Sequence, residues 1–185
     1  MRVSRAQFQE NREKIVKAAG RLFRERGFDA VSVADVMKAA GLTHGGFYGH
    51  FKSKDDLIAQ AAVEASDRVV ESWSAIAEAH GPGALKALGE LYLDDSHLNA
   101  PGAGCLVATL GSDIARRPAE AREGVTASIK RVAAMLQKAA PGKTEAVRRK
   151  RALAAYASWV GAMVLARMSD DEAFSQEVLA AVADG

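Results

Sequence analysis

The spacing of apolar residues is the feature that most constrains the fold of this chain. Between Ile15 and Phe23, apolar residues recur at intervals of three and four, the period of one buried helix face. Stretches that alternate apolar and polar residues, as strands do, are absent, and helix-forming residues dominate. The 185 residues are therefore predicted to form an all-α protein of about nine helices.

Glycines, prolines and capping residues mark the predicted helix ends. Gly27 and Gly41 are expected to end the first two helices, and Ser32, Thr43 and Ser53 to cap the next three. The first five predicted helices span about residues 8–26, 33–40, 44–50, 54–79 and 84–94. The last four begin near residues 105, 118, 144 and 171.

Charge is unevenly distributed along the chain. Residues 1–54 hold eleven Lys and Arg against five Asp and Glu, whereas residues 55–185 hold fourteen against eighteen. A basic N-terminal third favours attraction to phosphate, although the same charges could form a plain solvated surface. Arg2 and Arg5 could be an arm that enters the minor groove, with a disordered tail as the simpler interpretation.

Several classes of protein are not supported by the sequence. Cys105 is the only cysteine, and no two of the four histidines lie three to five residues apart, so we expect no disulfide, metal or cofactor. The N-terminus lacks the apolar core of a signal peptide. The apolar, uncharged stretch of residues 152–166 is too short for the roughly 18–20 residues that span a bilayer. We expect a cytoplasmic protein with no membrane partner.

Residues 32–54 carry the most specific pattern. They predict a short helix, a turn at Gly41, and a second short helix begun by a hydroxyl residue, which is the order of a helix-turn-helix. Phe47 and Phe51 lie four residues apart and are expected to face the core shared by the two helices.

This segment resembles the DNA-binding domain of TetR-family repressors. The matching positions, in fixed register, are Gly27-Phe28, Ser32, Ala40-Gly41-Leu42-Thr43, Gly45, Phe47-Tyr48, His50-Phe51, Lys54 and Leu57. The resemblance implies a three-helix DNA-binding domain over residues 8–68 and a helical ligand-sensing and dimerisation domain over residues 69–185. It implies a DNA-binding transcriptional regulator without enzymatic activity, a repressor that a small molecule releases from a pseudo-palindromic operator.

The resemblance also implies which residues contact double-stranded DNA. They are Ser32, Thr43, His44, Gly45, Gly46, Tyr48, Lys52 and Lys54. Thr43, Tyr48 and Lys54 are expected to bind phosphates, and residues 43–46 to lie in the major groove. The simpler interpretations are helix caps for the hydroxyl residues, a half-buried core position for the tyrosine, and solvated charges for the lysines. His50 is expected to brace the domain.

Three glycines within five residues distinguish the second helix of this motif. Gly45, Gly46 and Gly49 each cost a helix about 1 kcal/mol relative to alanine, so we expect the free helix to be loose. Few side chains remain that can read base edges. Direct readout would rest mostly on Thr43 and His44, with DNA shape supplying the remainder.

The C-terminal part offers candidate ligand contacts, though any of them could be ordinary core. They are Trp73, Tyr92, His97, Cys105, Leu106, Leu110, Trp159 and Met163. Residues 104–107 resemble a subset of TetR-type regulators, some of which sense electrophiles or oxidants with a cysteine here. A buried, inert cysteine is the simpler interpretation. The rival enzyme, with Cys105 as nucleophile and His97 as base, lacks an acidic partner at a readable position.

The predicted helix over residues 144–167 is apolar on nearly every side, so we expect it to be buried nearly all round. Ala157 and Gly161 are small, lie four residues apart, and would let a second helix approach closely. An intramolecular core helix would explain the pattern. The family resemblance implies instead a homodimer built on the last two helices, with an interface of Tyr156, Ala157, Val160, Gly161 and Val164.

Overall fold

The computed structural model describes residues 4–183. Its ten α-helices are α1 (Arg5–Arg26), α2 (Val33–Ala39), α3 (Phe47–His50), α4 (Lys54–His80), α5 (Ala84–Tyr92), α6 (Asp95–Asn99), α7 (Leu106–Ala115), α8 (Ala119–Ala139), α9 (Glu145–Met168) and α10 (Glu172–Ala183). Only α3 and α6 have five residues or fewer. The all-α fold and the approximate helix number are confirmed. The sequence did not predict α6.

Most of the predicted caps are confirmed. The Ser32 hydroxyl accepts from the Asp35 N–H at 3.1 Å while the Asp35 carboxylate accepts from the Ser32 N–H at 2.9 Å, which is a capping box. Ser53 caps α4 by accepting from the Asp56 N–H at 2.9 Å. Thr43 is an exception, because its side chain makes no capping hydrogen bond.

The start of α1 differs from the prediction. Ser4 caps the helix by accepting from the Gln7 N–H at 3.1 Å, so α1 begins three residues earlier than expected. Arg5 is therefore the first residue of a helix and not part of an extended arm or tail. Arg2 lies outside the described residues.

Two apolar cores organise the chain, and the first is larger than the predicted N-terminal domain. It contains the buried residues of α1, α2 and α3 and the first part of α4, among them Phe23, Phe47 and Leu57. Leu110 of α7 and Val125 of α8 are buried in the same cluster. Residues 8–68 therefore do not close their core alone.

The second core lies between the C-terminal part of α4 and α5, α8, α9 and α10. Trp73, Leu88, Leu136 and Met163 are buried near its middle. Within residues 4–183, no helix combines the length and the apolar character needed to span a membrane.

Helix α4 runs through both cores and packs along α8. The two backbones touch at Gly124, because a Cβ atom placed there would lie 2.5 Å from Ala59 Cβ and 2.7 Å from Ala59 Cα. A side chain at residue 124 would force these helices apart.

We predict that Gly124→Ala lowers the free energy of unfolding by about 1–3 kcal/mol, although alanine is the better helix former. Gly111→Ala in α7 is the matched control, since its Cβ would meet its nearest atom, Val107 Cγ1, at 3.9 Å. The control should be neutral or up to about 1 kcal/mol stabilising. Chemical denaturation of both variants measures the difference. Equal stability of the two would contradict the contact described for Gly124.

Candidate nucleic-acid interface and cavity

The helix-turn-helix is built from α2, the turn at Gly41, and α3. Gly41 has a φ of +71°, which glycine adopts without steric cost, and Leu42 N–H donates to the Met37 carbonyl at 2.9 Å to close the turn. Phe47 and Phe51 are buried with their ring centroids 5.6 Å apart. The prediction that both face the core is confirmed.

The segment between the turn and α3 is fully on the surface. Residues 43–46 are all exposed, and residues 44–46 form a single 3-10 turn before α3 begins. A Cβ at Gly45 would meet no atom within 4 Å. Tyr48 is 72% exposed and stands edge-on to the Phe47 ring. The alternative of a half-buried core tyrosine is therefore wrong. Residues 43–46 and the Tyr48 phenol beside them all face solvent.

Ser32 is occupied by the capping box and is less suited to phosphate than expected. Its hydroxyl donates to Asp35 Oδ2 at 2.5 Å while accepting from the Asp35 N–H. The hydrogen bonds from the Ser32 hydroxyl and backbone hold the pKa of Asp35 below its usual range. A carboxylate already stands at the N-terminus of α2, where a phosphate would have to bind.

The Lys54 side chain forms a hydrogen bond within the protein. Its ammonium donates to the Phe28 carbonyl at 2.5 Å and thereby ties the start of α4 to the turn after α1. Burial lowers the pKa of Lys54, and the nearby Arg117 guanidinium lowers it further. Lys54 is therefore less available for the expected phosphate contact, which stays a prediction, whereas Lys52 is exposed.

His50 braces the domain as expected. Its ring stacks on Phe8 with 4.1 Å between centroids, and Arg12 donates to both the His50 carbonyl and Gln60 Oε1. The Arg12 guanidinium also lies 4.5 Å from the centre of the Phe51 ring. Burial lowers the pKa of His50. These contacts hold the end of α3 against α1 and α4.

A cavity of about 1210 Å³ lies between α1, α4, the loop of residues 100–105, α7 and α8. Five of the predicted ligand contacts line it, namely Trp73, Tyr92, His97, Cys105 and Leu106. The other three do not reach the cavity wall. Leu110 belongs to the first core, Met163 to the second, and Trp159 stands behind Trp73 and Tyr92 with ring centroids 6.1 and 5.9 Å away.

Hydrogen bonds hold the loop of residues 100–105 in place. His97 Nδ1–H donates to the Tyr92 carbonyl at 2.6 Å, and His97 Nε2 accepts from the Cys105 N–H at 2.9 Å. Arg167 donates to the His97 carbonyl at 2.5 Å and to Thr109 Oγ1 at 2.9 Å. A neutral imidazole satisfies this arrangement, and burial accordingly lowers the pKa of His97.

Cys105 is partly buried at the N-cap of α7, and its Sγ lies 3.8 Å from the Tyr156 hydroxyl. Burial raises the pKa of Tyr156 and of Tyr92, so both phenols stay protonated. Tyr156 was expected in a dimer interface. It is instead buried and lines the cavity of its own chain, because the inward face of α9 carries the large aromatic residues.

Arg24 is a buried charged residue of the cavity that the sequence analysis missed. It is only 7% exposed, and its Nε–H donates to the Gly102 carbonyl at 2.8 Å. Gly20, four residues earlier, leaves room for the guanidinium, since a Cβ there would lie 3.4 Å from Arg24 Nη1. An arginine on the apolar face of α1, one turn after a glycine, was the only signal in the sequence.

One face of α9 is apolar and uncovered in the single chain. Leu165 is 55% and Met168 78% exposed, Ala157 and Gly161 are also exposed, and a Cβ at Gly161 would meet no atom within 4 Å. Val160 and Val164 are half-buried beside this face. The expectation that α9 is buried on nearly every side therefore does not hold within one chain.

Comparison with known proteins identifies the fold and the N-terminal region. Residues 15–61 match the family described as bacterial regulatory proteins, tetR family. The HTH-type transcriptional regulator AcrR of Shigella flexneri is 41% identical over 59 residues, covering 32% of this chain and 27% of that protein. The HTH-type transcriptional repressor KstR2 of Mycolicibacterium smegmatis is 36% identical over 47 residues, covering 25% of this chain and 23% of that protein.

These matches span about a quarter of the length of the curated relatives. The fold comparison covers far more. A TetR-family transcriptional regulator from Cytophaga hutchinsonii superposes with a TM-score of 0.77 at 20% identity, covering 100% of this chain and 96% of that chain. Residues 15–61 thus match the TetR family, and the whole chain shares the fold of TetR-family structures.

The curated relatives are described as HTH-type transcriptional regulators, which favours a regulator over the rival enzymatic interpretation of Cys105 and His97. The family match also covers α2, the Gly41 turn and α3, where sequence and geometry agree on a helix-turn-helix. The roles of individual residues in binding DNA or a ligand stay predictions.

The geometry of His97 predicts how the stability of this protein depends on pH. Because the folded-state pKa lies below that of the unfolded chain, the unfolded state binds the proton first as pH falls. Stability should therefore be lost as pH drops below about 6.5, the ordinary histidine value. Protonated Nε2 can no longer accept from the Cys105 N–H.

We expect His97→Gln to be less stable than wild type at pH 8, with a smaller loss of melting temperature between pH 7.5 and pH 5. His80→Gln, at an exposed histidine, should keep the wild-type slope. Thermal melts across this pH range measure both. An unchanged slope in His97→Gln would show that the imidazole is not a neutral acceptor in the folded protein.

Proposed function

We propose that this chain is a DNA-binding transcriptional regulator that acts as a repressor and leaves its operator when a small molecule occupies the cavity. The observation that carries the proposal is the exposed segment of residues 43–48, anchored from behind by the buried Phe47 and lying within the TetR-family match. The name of one relative, a transcriptional repressor, supports the direction of regulation. A bacterial regulator of this kind acts in the cytoplasm.

In this proposal the DNA interface consists of two kinds of contact. Thr43, His44, Gly45 and Gly46 approach base edges in the major groove, where the absence of bulky side chains allows the backbone to come close. Tyr48 and Lys52 bind phosphates and fix the register of the protein on the duplex. Ser32 and Lys54 support the interface indirectly, because they hold the starts of α2 and α4 in position.

The functional form is a homodimer that pairs the uncovered faces of α9 and α10. Leu165 and Met168 on α9 and the half-exposed Phe174 on α10 are large apolar groups that water would otherwise surround. Two-fold pairing through these helices presents two recognition segments to successive major grooves of a pseudo-palindromic site.

The effector site is the cavity between α1, α4 and α7. Its volume exceeds the 300–1,000 Å³ common for ligand pockets, and its walls combine aromatic rings with a few polar groups. Helices α4 and α7 both run from this cavity into the first core. A ligand that fits one arrangement of these helices better than the other shifts the population by its difference in affinity.

The DNA interface predicts different effects for two neighbouring residues. Tyr48→Phe should weaken binding to every duplex by about tenfold, or about 1.4 kcal/mol, because a phosphate contact carries no base information. His44→Ala should change the preferred sequence in a random pool while nonspecific affinity stays within about threefold. Fluorescence anisotropy and selection from a random pool measure the two quantities. If Tyr48→Phe changes sequence preference and keeps overall affinity, the assignment of these contacts is wrong.

The dimer predicts a specific effect of charge on α9. Gly161→Arg should yield monomers in analytical ultracentrifugation and weaken operator binding, because the new side chain enters a close contact between helices. Gly83→Arg, where a Cβ also meets no atom within 4 Å, adds the same charge away from this face and should remain dimeric. A dimeric Gly161→Arg with wild-type DNA affinity would place the interface elsewhere.

A further inference from the structure

The cavity is basic at one side and aromatic at the other. The charged residues that line it are Lys14, Lys17, Arg21, Arg24, Arg68 and Glu25, which are five cations and one carboxylate. Trp73, Tyr92 and Tyr156 line the same cavity with their rings. Lys14, Arg21 and Arg68 each pair with a glutamate of their own helix, so the excess positive charge of the cavity comes from Lys17 and Arg24.

Arg24 is the most deeply buried of these cations, and no carboxylate among residues 4–183 forms a salt bridge with it. Its Nη1 atom is buried and has no hydrogen-bond partner among residues 4–183. Glu25 pairs with Arg21 at 3.0 Å, and Glu64 pairs with Arg68 at 2.9 Å. The two nearest acids are thus already occupied by other arginines.

A buried guanidinium with a free N–H is costly unless an acceptor reaches it. Burial first, and then the like charge of Arg68, lower the pKa of Arg24 by more than the carboxylates of Glu64 and Glu25 raise it. Tyr92 supplies a second unpaired group, because its hydroxyl is buried without a partner and only 3% of the residue is exposed. Two unpaired polar groups therefore mark the cavity, one on the DNA-binding side and one on the sensor side.

We propose that the effector of this protein is an amphipathic anion, whose carboxylate pairs with Arg24 and whose apolar, preferably aromatic, body lies against Trp73 and Tyr92. The proposal rests on the proposed ligand-responsive function and names the chemical class of the ligand. A carboxylate accepts two parallel hydrogen bonds from a guanidinium and would neutralise the charge of Arg24. The cations at the cavity mouth would draw such an anion in.

The position of Arg24 gives the ligand a direct route to the DNA-binding side. Arg24 belongs to α1, which packs against α2 and α4 in the first core, and its Nε–H holds the loop of residues 100–105 at Gly102. An anion at Nη1 leaves the Nε–H to Gly102, but a turn of the guanidinium toward the anion would reorient this hydrogen bond and shift the loop. The signal then passes through α1 as well as through the long helix α4.

The charge preference can be measured without DNA and with three probes that share one apolar body. Isothermal titration calorimetry of the wild-type protein would compare naphthalene-2-carboxylate, naphthalene-2-carboxamide and 2-naphthylmethylammonium. We expect the carboxylate to bind at least about tenfold more tightly than the amide, and the ammonium most weakly. Equal affinities, tighter binding of the amide or ammonium, or no binding of the carboxylate up to its solubility limit would overturn the proposal.

Variants test whether Arg24 is the partner of the anion. Arg24→Gln should lose the preference for carboxylate over amide while amide affinity stays within about twofold, and Arg24→Lys should keep part of the preference. Arg26→Gln removes the same charge from an exposed position of α1 and should behave as wild type. A carboxylate preference retained in folded Arg24→Gln would contradict the assignment. If Arg24→Gln does not fold, the Arg24→Lys variant and the three probes on wild type decide.

Operator binding in the presence of each probe separates this proposal from the one on which it rests. If the carboxylate binds with the expected preference but leaves DNA affinity unchanged, the anion site stands and ligand-controlled repression fails. If the neutral amide releases DNA as well as the carboxylate does, repression stands and the anion site fails. Release by the carboxylate alone, lost in Arg24→Gln, supports both.

Discussion

The apolar core around Phe23, Phe47 and Leu57 continues without interruption into α7, and the arrangement of the whole chain depends on this continuity. Leu106, Leu110 and Ile114 of α7 are buried among residues of α1 and α4. Burying side chains of this size contributes about 1.5–3 kcal/mol each. Separating α7 from α1 and α4 would cost this free energy of burial. A change in the position of α7 must therefore be transmitted to the helices that hold the recognition segment.

Polar contacts across the same boundary fix how the two parts meet. Arg117, which follows α7, pairs with Asp29 and lies 5.2 Å from the centre of the Phe28 ring. Ser53 donates to Glu120 at 3.3 Å. Beside this tightly held boundary lies the large cavity, across which the walls do not pack against each other. Regions with few buried contacts deform at lower free energy than a packed core, so the cavity is where the molecule can change shape.

The sequence predicted features that depend on near neighbours in the chain. The Ser32–Asp35 capping box, the Gly41 turn and the buried pair Phe47 and Phe51 follow from residue types three or four positions apart. Their energetics are local, and they form in the structure as expected. The predicted cap at Thr43 does not form. Residues 44–46, two of which are glycines, make a 3-10 turn there instead of a regular first helical turn.

The features that sequence analysis missed depend on residues far apart in the chain. Nothing near Arg24 indicates that its Nε–H will meet the Gly102 carbonyl, 78 residues later. Lys54 matches a phosphate contact of the family pattern, but its ammonium donates to the Phe28 carbonyl, which lies 26 residues earlier in the chain. Tyr156 lies on an apolar stripe of α9, and spacing alone cannot distinguish the inward from the outward side of a helix that is apolar on both.

The contact between Gly124 and Ala59 has a mechanical consequence for α4. Ala59 lies five residues after the start of this helix and 21 residues before its end, or about 8 Å and about 32 Å at 1.5 Å per residue. If α4 turns as a rigid rod about this crossing, displacement at the DNA-binding end is about a quarter of that at the sensor end. Because the two parts of α4 differ in length, the motion becomes smaller and the force larger toward the DNA-binding end. A loosely fitting ligand that shifts the sensor end by several ångströms would move the recognition segment by about one ångström.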